Sequence, residues 1–274
     1  MIFVENIKQY FGIYIGETAR QLLLQGIVFR VHSVFRDVVN LIGEAEELVT
    51  VAKLQKGRAW YFLNVVPEED FLLNVTKDDV FYRESDSLLS DKVKINFKEA
   101  VIWRGVREEV SKEVNLDDLK NIKNAVLLLK PWIAKFLSEK KLEKIKKLPS
   151  LSLEEAFSEF LGWGEGLTPW GDDFLTGWSL VLALLEPQKA RKLYFVCAPE
   201  IREKTNLISC QQLLSALSGQ GHEFVEKFLL NLLKRGIFDQ WSFERILKFG
   251  ATSGEGLITG MYFGLKQEER ELMG

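Results

Sequence analysis

The sequence predicts an α+β protein: a β-rich N-terminal half of barrel or sandwich type, residues 1–114, packed on an α-helical C-terminal half, residues 115–274. Three observations lead there. Short runs of branched and aromatic residues succeed one another through the first half, with no room for long helices between them. Near Asn115-Leu116-Asp117-Asp118 the apolar spacing changes from alternation to steps of three and four. No low-complexity linker separates the two regions, so one is expected to pack on the other.

The elements follow in order. A helix is expected at 17–24, packed on the strands. Residues 27–35 alternate, placing Ile27, Phe29, Val31, Ser33 and Phe35 on one face. Further strands are expected at 48–52, 59–66, 80–83, 92–97 and 100–103. Lys56-Gly57, Pro67-Glu68 and Ser85-Asp86 mark turns between them. Leu119, Ile122, Val126, Leu129, Ile133, Phe136 and Leu137 then recur with helical spacing, and Pro131 should kink or divide that helix. Residues 138–147 carry Lys140, Lys141, Lys144, Lys146 and Lys147, which read as a solvated helix face rather than a phosphate site. Ser152 and Glu155 have the spacing of a capping box, opening a helix that runs to about Phe160. Helices are expected at 174–185, 206–217, 222–235, 242–249 and 255–265. In 222–235, Phe224, Val225, Phe228, Leu229, Leu232 and Leu233 form an apolar stripe.

Composition narrows the function. The 274 residues are 47% hydrophobic, enough for a sizeable core, and the net charge of -3 does not favour nucleic acid. Cys197 and Cys210 make no CxxC pair and read as buried small hydrophobes, against a disulfide scaffold or a structural zinc site. No apolar run reaches the length of a membrane span, and the N-terminus lacks the pattern of a signal peptide. A cytoplasmic protein is expected, with neither membrane nor nucleic acid as a partner. His32 and His222 have no metal-ligand spacing; they read as a strand residue and a loop or cap residue. No nucleophile elbow, P-loop or dinucleotide fingerprint occurs.

The densest chemistry lies in Gly162-Trp163-Gly164-Glu165-Gly166-Leu167-Thr168-Pro169-Trp170-Gly171-Asp172-Asp173. Gly164, Gly166 and Gly171 permit close backbone approach, and Pro169 stiffens the loop. Asp172 and Asp173 fall where an apolar helix begins, so free N–H groups and positive potential should hold both carboxylates ionised. The same N–H groups favour an incoming anion that the acids would repel. The pair therefore suggests a cation such as Mg²⁺, with Asp172 and Asp173 as its ligands, or a ligand that donates N–H groups. The plainer reading is a turn with Asp172 as N-cap and Asp173 supporting the dipole. Trp163, Trp170 and Trp178 cluster there, as pocket walls or as core.

Two further segments join it. Gly171-Asp172-Asp173-Phe174-Leu175-Thr176-Gly177-Trp178 aligns without a gap on Gly254-Glu255-Gly256-Leu257-Ile258-Thr259-Gly260-Met261. Either two helices start alike and pack through Gly177 and Gly260, or two helix starts converge on one ligand, Ser253, Gly254 and Glu255 facing Asp172 and Asp173. Thr205 and Ser209 share a helix face by their i, i+4 spacing, with Thr205 as cap or Asn206 and Ser209 directed at a pocket.

These segments carry a resemblance. The run from Gly164 to Gly177 resembles the GLTPxGDD signature of a bacterial family of unknown function. Some of its members are labelled as carboxylases, and it includes the AllH-type subunit of oxamate carbamoyltransferase, from anaerobic allantoin breakdown. The likeness extends to Thr205-Asn206-Leu207-Ile208-Ser209, to Gly250-Ala251-Thr252-Ser253-Gly254, and to His32-Ser33-Val34-Phe35 with Val38-Val39-Asn40-Leu41. Trp170 stands where the family usually has a small residue, and Glu255-Gly256 where Ala-Asp is common. The resemblance names no catalytic residue but implies that these loops are the site. It implies an enzyme or enzyme subunit acting on a small carboxylate or amide by carbamoyl or carboxyl transfer. The alternative is a non-catalytic, ligand-sensing subunit in complex with proteins encoded beside it. Gly164, Gly166, Thr168, Gly171, Asp172, Asp173, Thr205, Ser209, Ser253, Gly254 and Glu255 are thus the candidate contacts to a small carboxylate, amide or phosphate ligand.

Overall fold

A computed structural model describes residues 7–69, 71–72, 75–106 and 119–273. The chain is α+β and divides into two compact units, Met1–Glu108 and Glu109–Gly274. The expected domain border at residues 114 and 115 lies outside the described residues.

In the first unit the strands are β1 (Lys8–Gly16), β2 (Val28–Val34), β3 (Val38–Ile42), β4 (Leu48–Lys53), β5 (Phe62–Val66), β6 (Val80–Glu84), β7 (Ser87–Leu89), β8 (Val93–Asn96) and β9 (Val101–Trp103). They lie in the order β5-β4-β3-β2-β6-β7-β8-β1, and β1 also pairs antiparallel with β5, so eight strands close into a barrel. β9 pairs with the second half of β1, continuing the line of β8. Closure leaves no open edge, which is why short strands suffice. Val39, Leu41, Val49, Val51, Leu63 and Val65 alternate into the barrel core. Helix α1 (Glu17–Gln25) buries Ala19 and Leu23 in the same core.

Several expectations change here. β1, β3 and β7 fall outside the strands that the sequence pattern marks. Gly12 and Gly16 break the apolar alternation of β1, and Gly16 is needed because a Cβ there would lie 2.2 Å from the Trp60 carbonyl oxygen. Strand β5 begins at Phe62, not at residue 59. The single apolar face expected over residues 27–35 is broken, because the β2–β3 register shifts between Val31 and Ser33. Such a bulge re-aims the side chains beyond it. Phe29 and Val31 are core residues, Phe35 beyond the bulge is exposed, and Ile27, which precedes the strand, is exposed as well.

The second unit is helical: α2 (Leu119–Phe136), α3 (Glu139–Lys146), α4 (Leu153–Phe160), α5 (Trp170–Leu185), α6 (Pro187–Lys204), α7 (Leu207–Leu217), α8 (Glu223–Arg235), α9 (Gln240–Leu247) and α10 (Ser253–Met273). Pro131 does not divide α2, which runs through it as one helix. The capping box at Ser152 and Glu155 is formed. His222 caps α8, whose apolar stripe is buried from Phe224 to Leu233. Helix α6 escapes the sequence pattern because Pro199 interrupts it, yet Leu193, Cys197 and Ile201 bury one face at four-residue steps. Both cysteines are buried and unpaired. No described helix is long and apolar enough to cross a membrane.

Helix α5 is the hub, with fifteen of its sixteen residues buried. It packs along α10, and the glycines show how. A Cβ at Gly256 would meet Asp173 and Trp170, one at Gly260 would meet Phe174 and Trp178, and one at Gly264 would meet Trp178 and Val181. Later positions on one helix meet later positions on the other, so the two run parallel and start side by side. The internal echo is therefore structural as well as sequential. Gly177 meets the Leu257 carbonyl and Gly260 meets that of Phe174, the aligned residue. Thr176 donates to the Asp172 carbonyl at 2.8 Å, and Thr259 donates to the Glu255 carbonyl at 2.7 Å.

Candidate functional site

The site forms where α5 and α10 begin. Pro169 caps α5, and the N–H groups of Asp172 and Asp173 both donate to its carbonyl, at 3.0 and 3.2 Å. The Gly171 N–H donates to the Trp163 carbonyl at 2.7 Å. The first turn of α5 is thus occupied by its own chain and does not offer these N–H groups to a ligand, contrary to expectation. Gly171 is required here, since a Cβ would lie 2.0 Å from the Phe160 carbonyl oxygen.

Asp172 is not a helix cap. Its side chain reaches backwards and sideways: Oδ1 accepts the Gly162 N–H at 2.7 Å, and Oδ2 accepts the Thr205 hydroxyl. The Ser209 hydroxyl also favours its charged form. Thr205 therefore serves Asp172, while Asn206 caps α7 through the N–H groups of Ile208 and Ser209. Asp172 ties the glycine loop to the start of α7. Burial nevertheless outweighs these bonds and raises its pKa. Replacing Asp172 by Ala would leave the Gly162 N–H and the Thr205 hydroxyl without their acceptor. We expect a loss of about 3 kcal/mol in urea unfolding of the helical unit, whereas Thr205→Val should cost roughly 1 kcal/mol. Equal costs would deny Asp172 its central place in this link.

Asp173 differs. It is 2% exposed, and its Oδ2 has no hydrogen-bond partner. The nearby hydroxyls of Thr168 and Ser253 bond each other at 2.7 Å. Burial pushes its pKa up to about 8; the Ser253 hydroxyl opposes the shift, the neighbouring Asp172 carboxylate adds to it, and the Thr168 hydroxyl opposes it. The expectation that a helix start would hold both acids ionised is therefore reversed. The end of a helix dipole contributes on the order of 1 kcal/mol, less than the desolvation of a fully buried carboxylate.

The convergence of Ser253 on Asp173 is observed, whereas Glu255 turns away from both acids. Its carboxylate meets Lys141 Nζ at 3.4 Å, and that ammonium also lies 5.0 Å from the Trp170 ring centre. Lys144 pairs with Glu159 at 2.8 Å and lies over Trp163. The basic helix is thus not simply a solvated face: Lys146 and Lys147 are exposed, but Lys141 and Lys144 are largely covered. Lys141 is the site residue that the sequence reading leaves out. Its four-residue spacing from Ile145, the buried position of α3, is the signal that puts it on the inward face.

Gly256 is buried in the α5–α10 contact, Gly254 is buried against the end of α9 at Ile246 and Leu247, and Gly164 has φ +117 with its Cβ direction filled by Trp170. Gly166 has φ +98 and open space beside it. Residues 164–167 are exposed above the cluster. Trp163 and Trp170 meet edge to face, and Trp170 stacks on Phe174, so they serve as wall and core together. Two surface clefts of about 200 and 350 Å³ occur elsewhere in the helical unit, one beside Trp178 and Phe263 and one beside Tyr194 and Phe195. Neither contains the loop or the α10 start. Among the described residues no group of three or more His, Cys, Asp or Glu is placed to hold a metal ion. Asp172 and Asp173 thus have no third acidic ligand, and Asp172 has both oxygens engaged.

No solved structure matches the chain. Residues 160–265, which hold the loop and both helix starts, match the family described as oxamate carbamoyltransferase subunit AllH. Residues 12–102, the barrel, match the AllH family N-terminal domain. Together the two matches cover most of the sequence, and the chain belongs to the AllH family.

Proposed function

We propose that this protein is a subunit of an oxamate carbamoyltransferase-like enzyme, acting on a small carboxylate or amide. Its ligand would sit at Asp173, Thr168 and Ser253, where α5 and α10 start together. The observation that carries this reading is the unpartnered, fully buried Oδ2 of Asp173. Buried polar atoms are almost always paired. Among the described residues Trp103 Nε1, Trp170 Nε1 and Ser179 Oγ are also without a partner, but Asp173 is the one acid among the four, the group for which that state costs most and a partner from outside would matter most. Asp172, Thr205, Ser209 and the glycines then form the frame that holds Asp173 in place, and residues 164–167 form its cover.

Membership of a family of enzyme subunits also supports a hetero-complex, with companions encoded beside this chain. The test is purification of the chain from its native host, with carbamoyl transfer to oxamate assayed in the complex and in the chain alone. Companion proteins should co-purify, and Asp173→Leu in the intact complex should lower turnover at least tenfold. A complex that works as well with Asp173→Leu would sink the active-site assignment. The ligand-sensing alternative predicts turnover that survives complete removal of this chain.

A further inference from the structure

We infer that Asp173 meets its ligand as a hydrogen-bond donor, so that the paired helix starts receive an oxyanion of a small molecule, carboxylate or phosphate, with Lys141 as counter-charge at the rim. This rests on the proposal that a ligand reaches Asp173, and it reverses the polarity that the two adjacent acids suggest.

An ionised Asp173 would be a fully buried charge, beside a second carboxylate, with one oxygen lacking any donor. That is the most costly state available to it. The neutral acid avoids this cost, and its O–H on Oδ2 then needs an acceptor that the chain does not provide. The upward shift of Asp173 agrees. The hydroxyls of Thr168 and Ser253 share a hydrogen bond, and the O–H that this leaves over is within reach of Asp173 itself. Lys141 is loosely held, 3.4 Å from Glu255 and 3.3 Å from the Phe136 carbonyl, and can exchange either for an anion.

The charged groups about the site are Asp172 on α5, Glu255 on α10, Lys141 on α3, the Lys144–Glu159 pair and Lys140 beside Trp163, and the exposed Glu165 in the loop. Asp172 faces α7 and accepts from Gly162 and Thr205, although its charge still reaches Asp173. Glu255 is paired with Lys141. Asp173 is therefore the group whose ionisation would turn an incoming anion away.

The experiment is ligand-induced thermal stabilisation and calorimetric binding with the full chain, using oxamate, inorganic phosphate and Mg²⁺ as separate probes. One of the two anions should bind, and which one does distinguishes a carboxylate from a phosphate ligand. Its affinity should fall about tenfold per pH unit above pH 8 as Asp173 ionises. Asp173→Asn, whose amide still donates, should bind the anion with little dependence on pH between about 7 and 9. Lys141→Gln should weaken binding at least tenfold, while Lys146→Gln on the exposed side of α3 should not. If Asp173→Asn abolishes binding, or if Mg²⁺ stabilises the wild type but not Asp173→Asn, the donor role is overturned while a ligand at Asp173 remains. If neither anion nor Mg²⁺ affects the wild type, both the inference and the site it rests on are overturned.

Discussion

Gly260→Ala should destabilise the helical unit more than any other single-methyl change in the protein. The added Cβ would lie 1.8 Å from the Phe174 carbonyl oxygen and 2.9 Å from the Trp178 nitrogen, both backbone atoms of the buried helix α5. No side chain can swing aside to relieve the contact. The helices must separate along a seam that also packs Phe174, Ile258 and Met261. Overpacking of this kind costs about 3 kcal/mol or more when backbone has to move. Alanine's better helix propensity returns only about 1 kcal/mol, so the clash wins. Gly177→Ala should behave alike, since its Cβ would lie 2.1 Å from the Leu257 carbonyl oxygen. Gly166→Ala is the contrast: nothing lies within 4 Å, and only its positive φ resists, at roughly 1 kcal/mol. Urea midpoints followed by circular dichroism would rank the three. A Gly260→Ala protein with a wild-type midpoint would mean that the α5–α10 contact is not as close as described.

Asp173→Asn should stabilise the protein at pH 8, and the gain should vanish in acid. Asp173 has an ordinary pKa of 3.8 and a folded value of about 8. Between these values the native state holds a proton that the unfolded chain has released. Stability therefore falls as pH rises through that window and is level on either side of it. The slope at its steepest is on the order of 1 kcal/mol per pH unit, which sums to several kcal/mol across the window. The asparagine variant has no proton to lose and should show a flatter profile. A residual slope of the same sign should persist, because Asp172 is shifted in the same direction. Unfolding at fixed pH values from about 4 to 9, spanning the window, would test this. An unchanged slope in Asp173→Asn would show that Asp173 is ionised in the native state. A group kept at this cost in stability is typical of a site retained for what it does to a ligand rather than for packing.

Much of the architecture is legible in the chain itself. The change from alternating to helical spacing along the chain tells a barrel-type half from a helical one, because side-chain period follows directly from strand and helix geometry. Ser152 with Glu155 marks the start of α4, since a capping box is a local interaction. The glycine-aspartate loop, Thr205 with Ser209, and Ser253 with Glu255 all stand out by residue type and spacing; the loop, Thr205 and Ser253 meet at the starts of α5, α7 and α10, while Glu255 turns to Lys141.

What local pattern does not reach depends on neighbours distant in sequence. β1 is hidden because its glycines answer to Trp60 and Phe97, more than forty residues away. The division of labour between Asp172 and Asp173 is the clearest case. Adjacent, chemically identical side chains point in different directions on α5; one meets donors from Gly162 and Thr205, and the other packs against Gly256 with its Oδ2 reached by no donor. Sequence alone determined that two acids stand at a helix start. Tertiary packing decided that one would be consumed as a strut and the other buried with one oxygen unpartnered, because desolvation and donor supply are set by the elements that surround a group, not by the helix that carries it.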